Sequence, residues 1–463
     1  MTSKVSPTKT PRPPAADVEA SSNISTFSSV PSEKLNFKVY KERWLVLATM
    51  VTLISSNITQ WSSYSAIIRQ TDLFHCGLDA DTCKASFYAN QIFQAMAVGL
   101  SVIGMYLATR CGILTTLRSC ATANLLGAAI RLIASNPNIE DFTLRKYAMF
   151  CGTSITSIAQ MYFVITTEVA ESWFSPSNRA SANVACTMSL TFGTVMGTLL
   201  PSLILNEHNE DPNTWNFFVL NSIITALCII PLILSFIQRT SLPPTPPSVS
   251  FHDSKQVDVR NSILECFKIK QFIVQIIIYI LSFGCVIVVV FLNDTINDRG
   301  YKLAGYPITI ATASSLFSAY AVGKFADRTK RFKQLSRERS CWVDDVIIIL
   351  LFSTIMTCTA SQIPIGQEIA VETTFPVHEA VSCAILNFFG QFWMLSIYSI
   401  LDAMKQIDFY YVKSKKYGNW QLSVDLWVFL SCANAILAIF CLKPQYNRLK
   451  VENENSKNAS EKE

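Results

Sequence analysis

Apolar residues in this chain are grouped into blocks of about 20, the length that a helix needs to cross the hydrocarbon core of a bilayer. The 463 residues are 50% hydrophobic and only 15% charged, whereas soluble proteins carry about 25% charged residues. A surface this poor in charge cannot all face water, which excludes a soluble enzyme, a disordered chain and a secreted disulfide scaffold. The formal net charge of +5 is too small to indicate binding to nucleic acid. The sequence therefore predicts an all-α membrane protein with many spans.

Two sets of predicted spans are separated by a long polar linker. Six spans, a linker and then further spans are typical of a two-bundle secondary transporter. The predicted regions are a disordered cytoplasmic tail (1–43), a six-helix bundle (44–237), a Pro-rich cytoplasmic linker (238–270), a second bundle (271–442) and a polar tail (443–463). Eleven spans are clear, at Trp44–Ile68, Ala85–Ala108, Ile113–Ala134, Tyr147–Glu171, Ala180–Leu205, Trp215–Ile237, Gln271–Asn293, Leu303–Phe325, Val343–Thr374, Ala380–Asp402 and Trp420–Leu442.

The distribution of basic residues predicts the orientation in the membrane. The segment Lys324–Arg339 contains seven basic and two acidic residues, and short loops rich in Lys and Arg stay in the cytoplasm. Counting back from this loop places the linker and the amino terminus in the cytoplasm as well. The acidic loop Asn206–Asn213 then lies outside.

One block, Val343–Thr374, does not fit a complete second bundle. Its 32 residues are too many for one span of about 20 and too few for two spans with a turn. If the block is one span, the count is odd and the carboxyl tail lies outside. Local charge does not decide the matter, so the side of the tail stays open.

A glycine and a cluster of charges follow the eighth predicted span, in the sequence Gly-Lys-Phe-Ala-Asp-Arg-Thr-Lys-Arg over 323–331. This stretch resembles the cytoplasmic loop motif of the major facilitator superfamily. In that motif glycine permits close helix packing, and the Asp-Arg pair meets charges and helix ends across the bundle. The resemblance implies gating roles for Asp327 and Arg328. The alternative is a basic loop that only sets the orientation.

Three further stretches narrow the resemblance: Glu-Arg-Trp-Leu-Val-Leu over 42–47, Glu-Ser-Trp-Phe-Ser-Pro over 171–176 and Glu-Thr-Thr-Phe-Pro over 372–376. Together they resemble the solute carrier family of the feline leukaemia virus subgroup C receptors, which are haem and choline transporters, and of the lysosomal disrupted-in-renal-carcinoma protein. The resemblance implies two six-helix bundles that work by alternating access. Spans nine and ten are then shortened near 357–364, as in a spliced or mispredicted product.

Polar and aromatic residues within spans are costly to bury and mark candidate substrate contacts. Asn57, Gln60 and Trp61 are close together on the first span, and Gln160 and Tyr162 lie midway along the fourth. The resemblance to choline-transporting receptors implies that Trp61 and Gln160 line the cavity. The indole face would attract an amine, and the amide would orient a hydroxyl or carbonyl group. Ordinary packing with interhelical hydrogen bonds is the alternative for these residues.

Charged residues within or beside spans are candidates for ion coupling and gating. A carboxyl group whose pKa is raised by burial can carry a proton, and Glu168, Glu171 and Asp294 are the candidates. Glu171 is expected to be an interfacial carboxylate in water, and Glu168 is also placed to act as a gate. Arg118 and Arg131, near opposite ends of span three, are expected to snorkel to the membrane surfaces.

Small residues and cysteines suggest structural roles. Gly193 and Gly197 on one face of span five predict a packing and hinge surface. Cys76 and Cys83 both fall in the first outer loop, where an oxidising environment would allow a disulfide between them. No Cys/His spacing typical of a metal site is present, so neither a metal nor a cofactor is expected.

The leading functional hypothesis is a secondary transporter of a small organic solute, with or without protons. The solute would be choline, a pyridoxine-like amine or haem, but Val286 stands where the receptors have a tyrosine, so the aromatic cage is incomplete. A non-transporting or truncated receptor-like protein is the alternative, and a polytopic membrane enzyme is a further one. The expected partners are the lipid bilayer and the solute, with no nucleic acid, and the protein is expected to be a monomer. The membrane is the plasma membrane or the lysosomal membrane, the latter slightly favoured by Tyr446-Asn-Arg-Leu449, a match to tyrosine-based sorting signals.

Overall fold

The computed structural model describes residues 40–175, 178–205, 214–245, 259–286, 363–404, 421–443 and 445–451. Within these ranges the regular secondary structure is helical and falls into two groups. In the described part of the chain, the first group contains α1 (Arg43–Ser65), α2 (Ile68–Cys76), α3 (Ala80–Cys83), α4 (Ala85–Cys111), α5 (Ile113–Ala134), α6 (Phe142–Ser157), α7 (Tyr162–Trp173), α8 (Arg179–Ile204) and α9 (Thr214–Ile237).

The helices follow the apolar blocks closely, because a backbone in lipid must satisfy its hydrogen bonds internally. Six helices in the described ranges are long and apolar enough to cross a membrane, or seven if a bent pair is counted as one span. The path over Phe142–Trp173, 32 residues long, is interrupted by a 3₁₀ turn over Ile158–Met161, which separates α6 from α7. A 3₁₀ turn within a helix often marks a hinge or local strain.

Close packing of α1 against α8 depends on two glycines. A Cβ atom on Gly193 would lie 2.6 Å from the backbone oxygen of Ser55, and one on Gly197 would lie 2.8 Å from that of Thr59. The Thr59 hydroxyl also donates to the Gly193 carbonyl oxygen at 3.1 Å. Small residues that let two backbones approach are the usual means of helix association in lipid, so these glycines serve packing, as the sequence predicts.

In the second group the described helices are α10 (Val259–Lys268), α11 (Lys270–Val286), α12 (described over 363–374), α13 (Glu379–Met404) and α14 (Gln421–Phe440), and a helical segment is described over 447–451. The pair Arg260–Lys268 and Lys270–Gly284 is bent by 90°, so α10 turns away from the axis of α11.

Both ends of the described chain lie at one face of the protein. Trp44, at the start of α1, packs edge to face on Phe174, just after α7, with ring centroids 5.9 Å apart. Asn183, in the second turn of α8, donates a hydrogen bond to Glu368 on α12. Arg448, after α14, lies 2.9 Å from the same Glu368 carboxylate. We call this surface the tail face, and the sequence predicts that it is cytoplasmic.

The described carboxyl end bears on the side of the tail, which the predicted span count left open. It lies at the same face as the described amino end, whereas an odd number of crossings would place the two ends at opposite faces. Residues 287–362 lie outside the described part of the chain, so the number of spans stays a prediction. Other predicted features that lie outside the described residues are Asp294, the eighth span, Asp327, Arg328 and the acidic loop Asn206–Asn213.

Candidate functional site

An aromatic and amide cluster joins the first and fourth spans near the middle of the first group. The rings of Trp61 on α1 and Phe93 on α4 are stacked, with centroids 5.9 Å apart. Gln160, in the 3₁₀ turn, donates from Nε2 to the Phe93 carbonyl oxygen at 2.9 Å. Phe93 and Gln160 are buried, and Trp61 is half-buried. The two residues favoured by the family resemblance therefore both contact Phe93, which was not predicted as a site residue.

The other candidate substrate residues form a buried hydrogen-bond network inside the first group. Gln60 donates from Nε2 to Asn124 Oδ1 at 2.8 Å and accepts from the Thr156 hydroxyl at 2.9 Å. Asn57 donates to the same Asn124 oxygen at 3.0 Å. The Tyr162 hydroxyl donates to Asn57 Oδ1 at 3.4 Å. These contacts are those of the packing alternative, because each amide is satisfied by a neighbouring helix.

Arg131 is buried, so the expectation that it snorkels is wrong. Its side chain is 3% exposed, and Nη1 donates to the Gln60 carbonyl oxygen at 2.8 Å. The guanidinium carbon lies 3.9 Å from the centroid of the Tyr64 ring, a cation–π distance. Arg118 is partly buried and donates from Nη2 to the Gln238 carbonyl oxygen at 2.8 Å, at the end of α9.

Glu171 is also buried, in contrast to the prediction of an interfacial carboxylate in water. It is 3% exposed and its Oε1 lies 3.8 Å from Nη1 of Arg179 at the start of α8. A carboxylate between two helix ends that pack together is shielded by both, and sequence spacing alone does not show this. Glu168, one turn earlier, lies 3.9 Å from Nε2 of His378, which belongs to the second group.

Arg448 is the centre of charge at the tail face, a role that was not predicted from the sequence. Its guanidinium donates to Glu368 at 2.9 Å, to Glu372 at 3.0 Å and to Glu379 at 2.5 Å. Burial lowers the pKa of Arg448, but Glu379, Glu368 and Glu372 outweigh it and raise that pKa well above its usual value. The signal was present, because Glu368 and Glu372 are spaced by one helical turn and a basic residue follows the last span. We call the following residues the tail-face cluster: Glu168, Glu171, Arg179, Asn183, Glu368, Glu372, His378, Glu379 and Arg448.

Contacts between the two helix groups continue from the tail-face cluster toward the middle of the protein. The Thr167 hydroxyl lies 3.0 Å from the Cys383 sulfur, between α7 and α13. Asn387 donates to the carbonyl oxygen of Phe163 at 3.0 Å. In the described residues the two groups are therefore in contact along this path, and the tail face is closed.

At the opposite face, α2 and α3 form the first outer loop. Cys76 and Cys83 are joined by a disulfide. His75 is fully buried beside them, with Nδ1 2.8 Å from the Thr71 carbonyl oxygen. The pKa of His75 is lowered to about 4, chiefly by burial and to a smaller extent by Arg131 and Arg145, while the Thr71 hydrogen bond opposes the shift. The described residues contain no group of three or more His, Cys, Asp or Glu placed to hold a metal ion.

A sequence model of the Major Facilitator Superfamily matches residues 89–406. The chain belongs to this superfamily. Solute carrier family 49 member A3 of Xenopus tropicalis is 25% identical over 393 residues, which cover 80% of this chain and 79% of the relative. The choline/ethanolamine transporter FLVCR2 of Homo sapiens is 24% identical over 472 residues, covering 94% of this chain and 84% of the relative. This superfamily member is therefore related to solute carrier family 49, as the sequence motifs suggested.

Solved structures of the superfamily confirm the predicted all-α membrane fold. The structure of the proton:xylose symporter XylE bound to 6-bromo-6-deoxy-D-glucose matches with a TM-score of 0.67 and 10% identity, covering 89% of this chain and 99% of the symporter. The Escherichia coli fucose:proton symporter FucP matches with a TM-score of 0.62 and 10% identity, over 86% and 99% of the two chains. The protein is thus a multi-pass secondary transporter, not an enzyme.

Proposed function

We propose that this transporter carries a small organic amine of the choline or ethanolamine type by alternating access. The observation that carries the proposal is the cluster of Trp61, Phe93 and Gln160, in which a half-buried indole is held against a buried ring beside a buried amide. A Trp face attracts a cationic amine with about 0.5–2 kcal/mol, depending on how far the site is desolvated. Gln160 would then orient the hydroxyl group of the solute.

Gln160 lies in the 3₁₀ turn that interrupts the fourth span. Such turns often act as hinges, which supports a substrate site at this point. In superfamily transporters the site lies near the middle of the membrane, between rocking bundles. The Gln160 side chain links the turn to α4 through Phe93, so a change in the turn would move one wall of the site. The relatives named as choline/ethanolamine transporters favour this solute class over haem.

Uptake in proteoliposomes tests the proposal. Radiolabelled choline, ethanolamine, pyridoxine and haem would be offered with and without a pH gradient, and amine uptake above that of empty liposomes is expected. Trp61→Ala should raise the KM for the amine about tenfold, because about 1.4 kcal/mol of binding corresponds to that factor, and Trp61→Phe should raise it less. Trp215→Ala, an exposed indole at the start of α9, is the matched control. If no solute is taken up, or if Trp61→Ala leaves amine uptake unchanged, the proposal is wrong.

Coupling to protons is a separate proposal that rests on Glu168. Its carboxylate and His378 lie 3.9 Å apart across the two helix groups, so separation of the groups would change the surroundings of both titratable side chains. Glu168→Gln is expected to reduce any dependence of uptake on the pH gradient while leaving exchange of the solute intact. The gating roles of Asp294, Asp327 and Arg328 remain predictions from the sequence.

The alternative of a truncated or non-transporting protein rests on the shortening that the family resemblance implies near 357–364, and residues 287–362 lie outside the described part of the chain. Sequencing of the transcript across codons 355–370 would show whether an additional segment exists. Imaging of a tagged full chain beside plasma-membrane and lysosomal markers would decide between the two membranes.

A further inference from the structure

The described carboxyl-terminal segment 445–451 is docked on the second helix group beyond the last span. Asn447 donates from Nδ2 to the Thr373 carbonyl oxygen at 3.4 Å. The backbone N–H of Leu449 donates to Glu372 Oε2 at 3.1 Å. These contacts fall on α12, so the segment moves as part of the second group when the groups separate.

Arg448 is the counter-charge that makes this docking site possible. It is 6% exposed and bonds to Glu368, Glu372 and Glu379 at 2.5–3.0 Å. Three carboxylates this close repel one another, and removing the cation from a buried ion cluster leaves charges that nothing compensates. Without Arg448, the carboxylates would have to separate, take up protons or draw in water.

Each helix group contains an ion pair, and further contacts join the two groups. In the first group Arg179 lies beside Glu171 at 3.8 Å, and in the second group Arg448 holds its three carboxylates. Glu368 is shared between the groups, because Arg448 contacts its Oε2 atom while Asn183 donates to its Oε1 atom. The link from α8 to the second group therefore depends on a carboxylate that Arg448 holds in place.

We propose that segment 445–451 takes part in gating, that is, in opening and closing the contact between the two helix groups at the tail face. Arg448 positions Glu368 where it accepts from Asn183 of the first helix group, so that withdrawal of the segment opens this face. A partner or a modification that pulls the segment away would then shift the transporter toward the open state. The proposal rests on the transport activity of the superfamily and is independent of the identity of the solute.

A native cysteine reports directly on the gate. Cys383 is fully buried, and its sulfur lies 3.0 Å from the Thr167 hydroxyl on the other helix group. Its rate of reaction with N-ethylmaleimide would be measured by peptide mass spectrometry in inside-out membrane vesicles of the full chain. Arg448→Gln should raise this rate about tenfold, because the buried carboxylates lose their counter-charge, and Arg448→Lys should raise it less.

A second buried cysteine separates opening of the gate from unfolding. Cys120 on α5 is fully buried within the first group, so its labelling rate should not change when only the gate opens. An unchanged Cys383 rate in a folded Arg448→Gln protein would overturn the proposal.

If Arg448→Gln exposes both cysteines, a covalent bridge in the chain with native Arg448 provides the test. Asn447→Cys and Thr373→Cys would be joined by a short bis-methanethiosulfonate reagent, which fixes the segment on α12. The labelling rate of Cys383 should then fall, and cleavage of the bridge by a reductant should return it to its original value. In the two single variants, neither the bridging reagent nor the reductant should change this rate. If bridging leaves the Cys383 rate unaltered, the segment does not control the gate. The solute is absent from both experiments, so failure of the amine proposal would not affect them.

Discussion

The side-chain amide of Asn57 donates to Oδ1 of Asn124 at 3.0 Å and so ties α1 to α5 in the interior of the first helix group. The same oxygen accepts from Gln60 at 2.8 Å. Asn124 in turn donates to the Ser56 hydroxyl at 2.8 Å. One asparagine thus satisfies two amides of the first span, which makes it the residue on which the network depends.

Replacing Asn124 by leucine should lower stability without changing the apparent affinity for the solute. The change leaves the amides of Asn57 and Gln60 without this acceptor, and a buried unpaired polar group costs about 1–3 kcal/mol. The melting temperature of the purified protein and the KM of uptake would be compared with those of Thr122→Ala, a control at an exposed hydroxyl of the same helix. A normal melting temperature with a raised KM would instead assign Asn57 and Gln60 to the substrate site.

Much of the fold could be predicted from the sequence because lipid imposes a strong and local rule on helix length. The predicted bounds of the third span, Ile113–Ala134, coincide with those of α5, and Trp215–Ile237 differs from α9 by one residue. The α2 helix and the 3₁₀ turn were not predicted, since neither changes the average hydropathy of its segment.

The charged residues were harder to predict because their partners are distant in the chain. Arg131 was expected to reach water, but a carbonyl oxygen 71 residues away accepts from it. Arg448 lies in a polar tail, and the nearest of its three carboxylates in sequence is 69 residues away. Sequence patterns report polarity along a helix, whereas such pairs are created only when the helices pack.

Gly197→Ala should destabilise the protein, whereas Gly99→Ala should not. A Cβ on Gly197 would lie 1.9 Å from the Ser62 hydroxyl oxygen and 2.8 Å from the Thr59 carbonyl oxygen, while a Cβ on Gly99 would meet nothing within 4 Å. The hydroxyl can rotate away but the backbone oxygen cannot, and overpacking costs about 1–3 kcal/mol. At Gly99, where a Cβ meets no other atom, alanine stabilises the helix relative to glycine by up to about 1 kcal/mol. The two melting temperatures should therefore move in opposite directions, and a parallel shift would contradict the packing role of Gly197.

Labelling of cysteines in intact cells should reveal the orientation of the transporter. Cys76 and Cys83 form a disulfide in the outer loop, and disulfides persist on the oxidising side of a membrane. After mild reduction at the cell surface, an impermeant maleimide should label this pair. Exposed Cys111 at the end of α4 should react only after permeabilisation. For a lysosomal protein the same assay would be run on isolated lysosomes. If Cys111 of a cell-surface protein were labelled before permeabilisation, the orientation would be the reverse of the predicted one.

Acidification should destabilise the outer end of the first helix group through His75. Chiefly through burial, the pKa of His75 is lowered to about 4 from the ordinary histidine value of 6.5, so below pH 6.5 the unfolded chain binds a proton that the folded protein resists. The contribution of His75 to stability is complete above pH 6.5 and is lost as the pH falls toward 4, by about 3 kcal/mol in total at 1.36 kcal/mol per pKa unit. His75→Phe keeps a ring among Tyr64, Phe74 and Phe217 and should flatten this part of the pH profile. Melting temperatures of the two purified proteins between pH 4 and pH 8 provide the measurement. Asp72, whose pKa is raised by burial, is present in both proteins. The difference between their curves of melting temperature against pH therefore isolates the contribution of His75. Equal slopes would show that His75 does not cause the pH dependence.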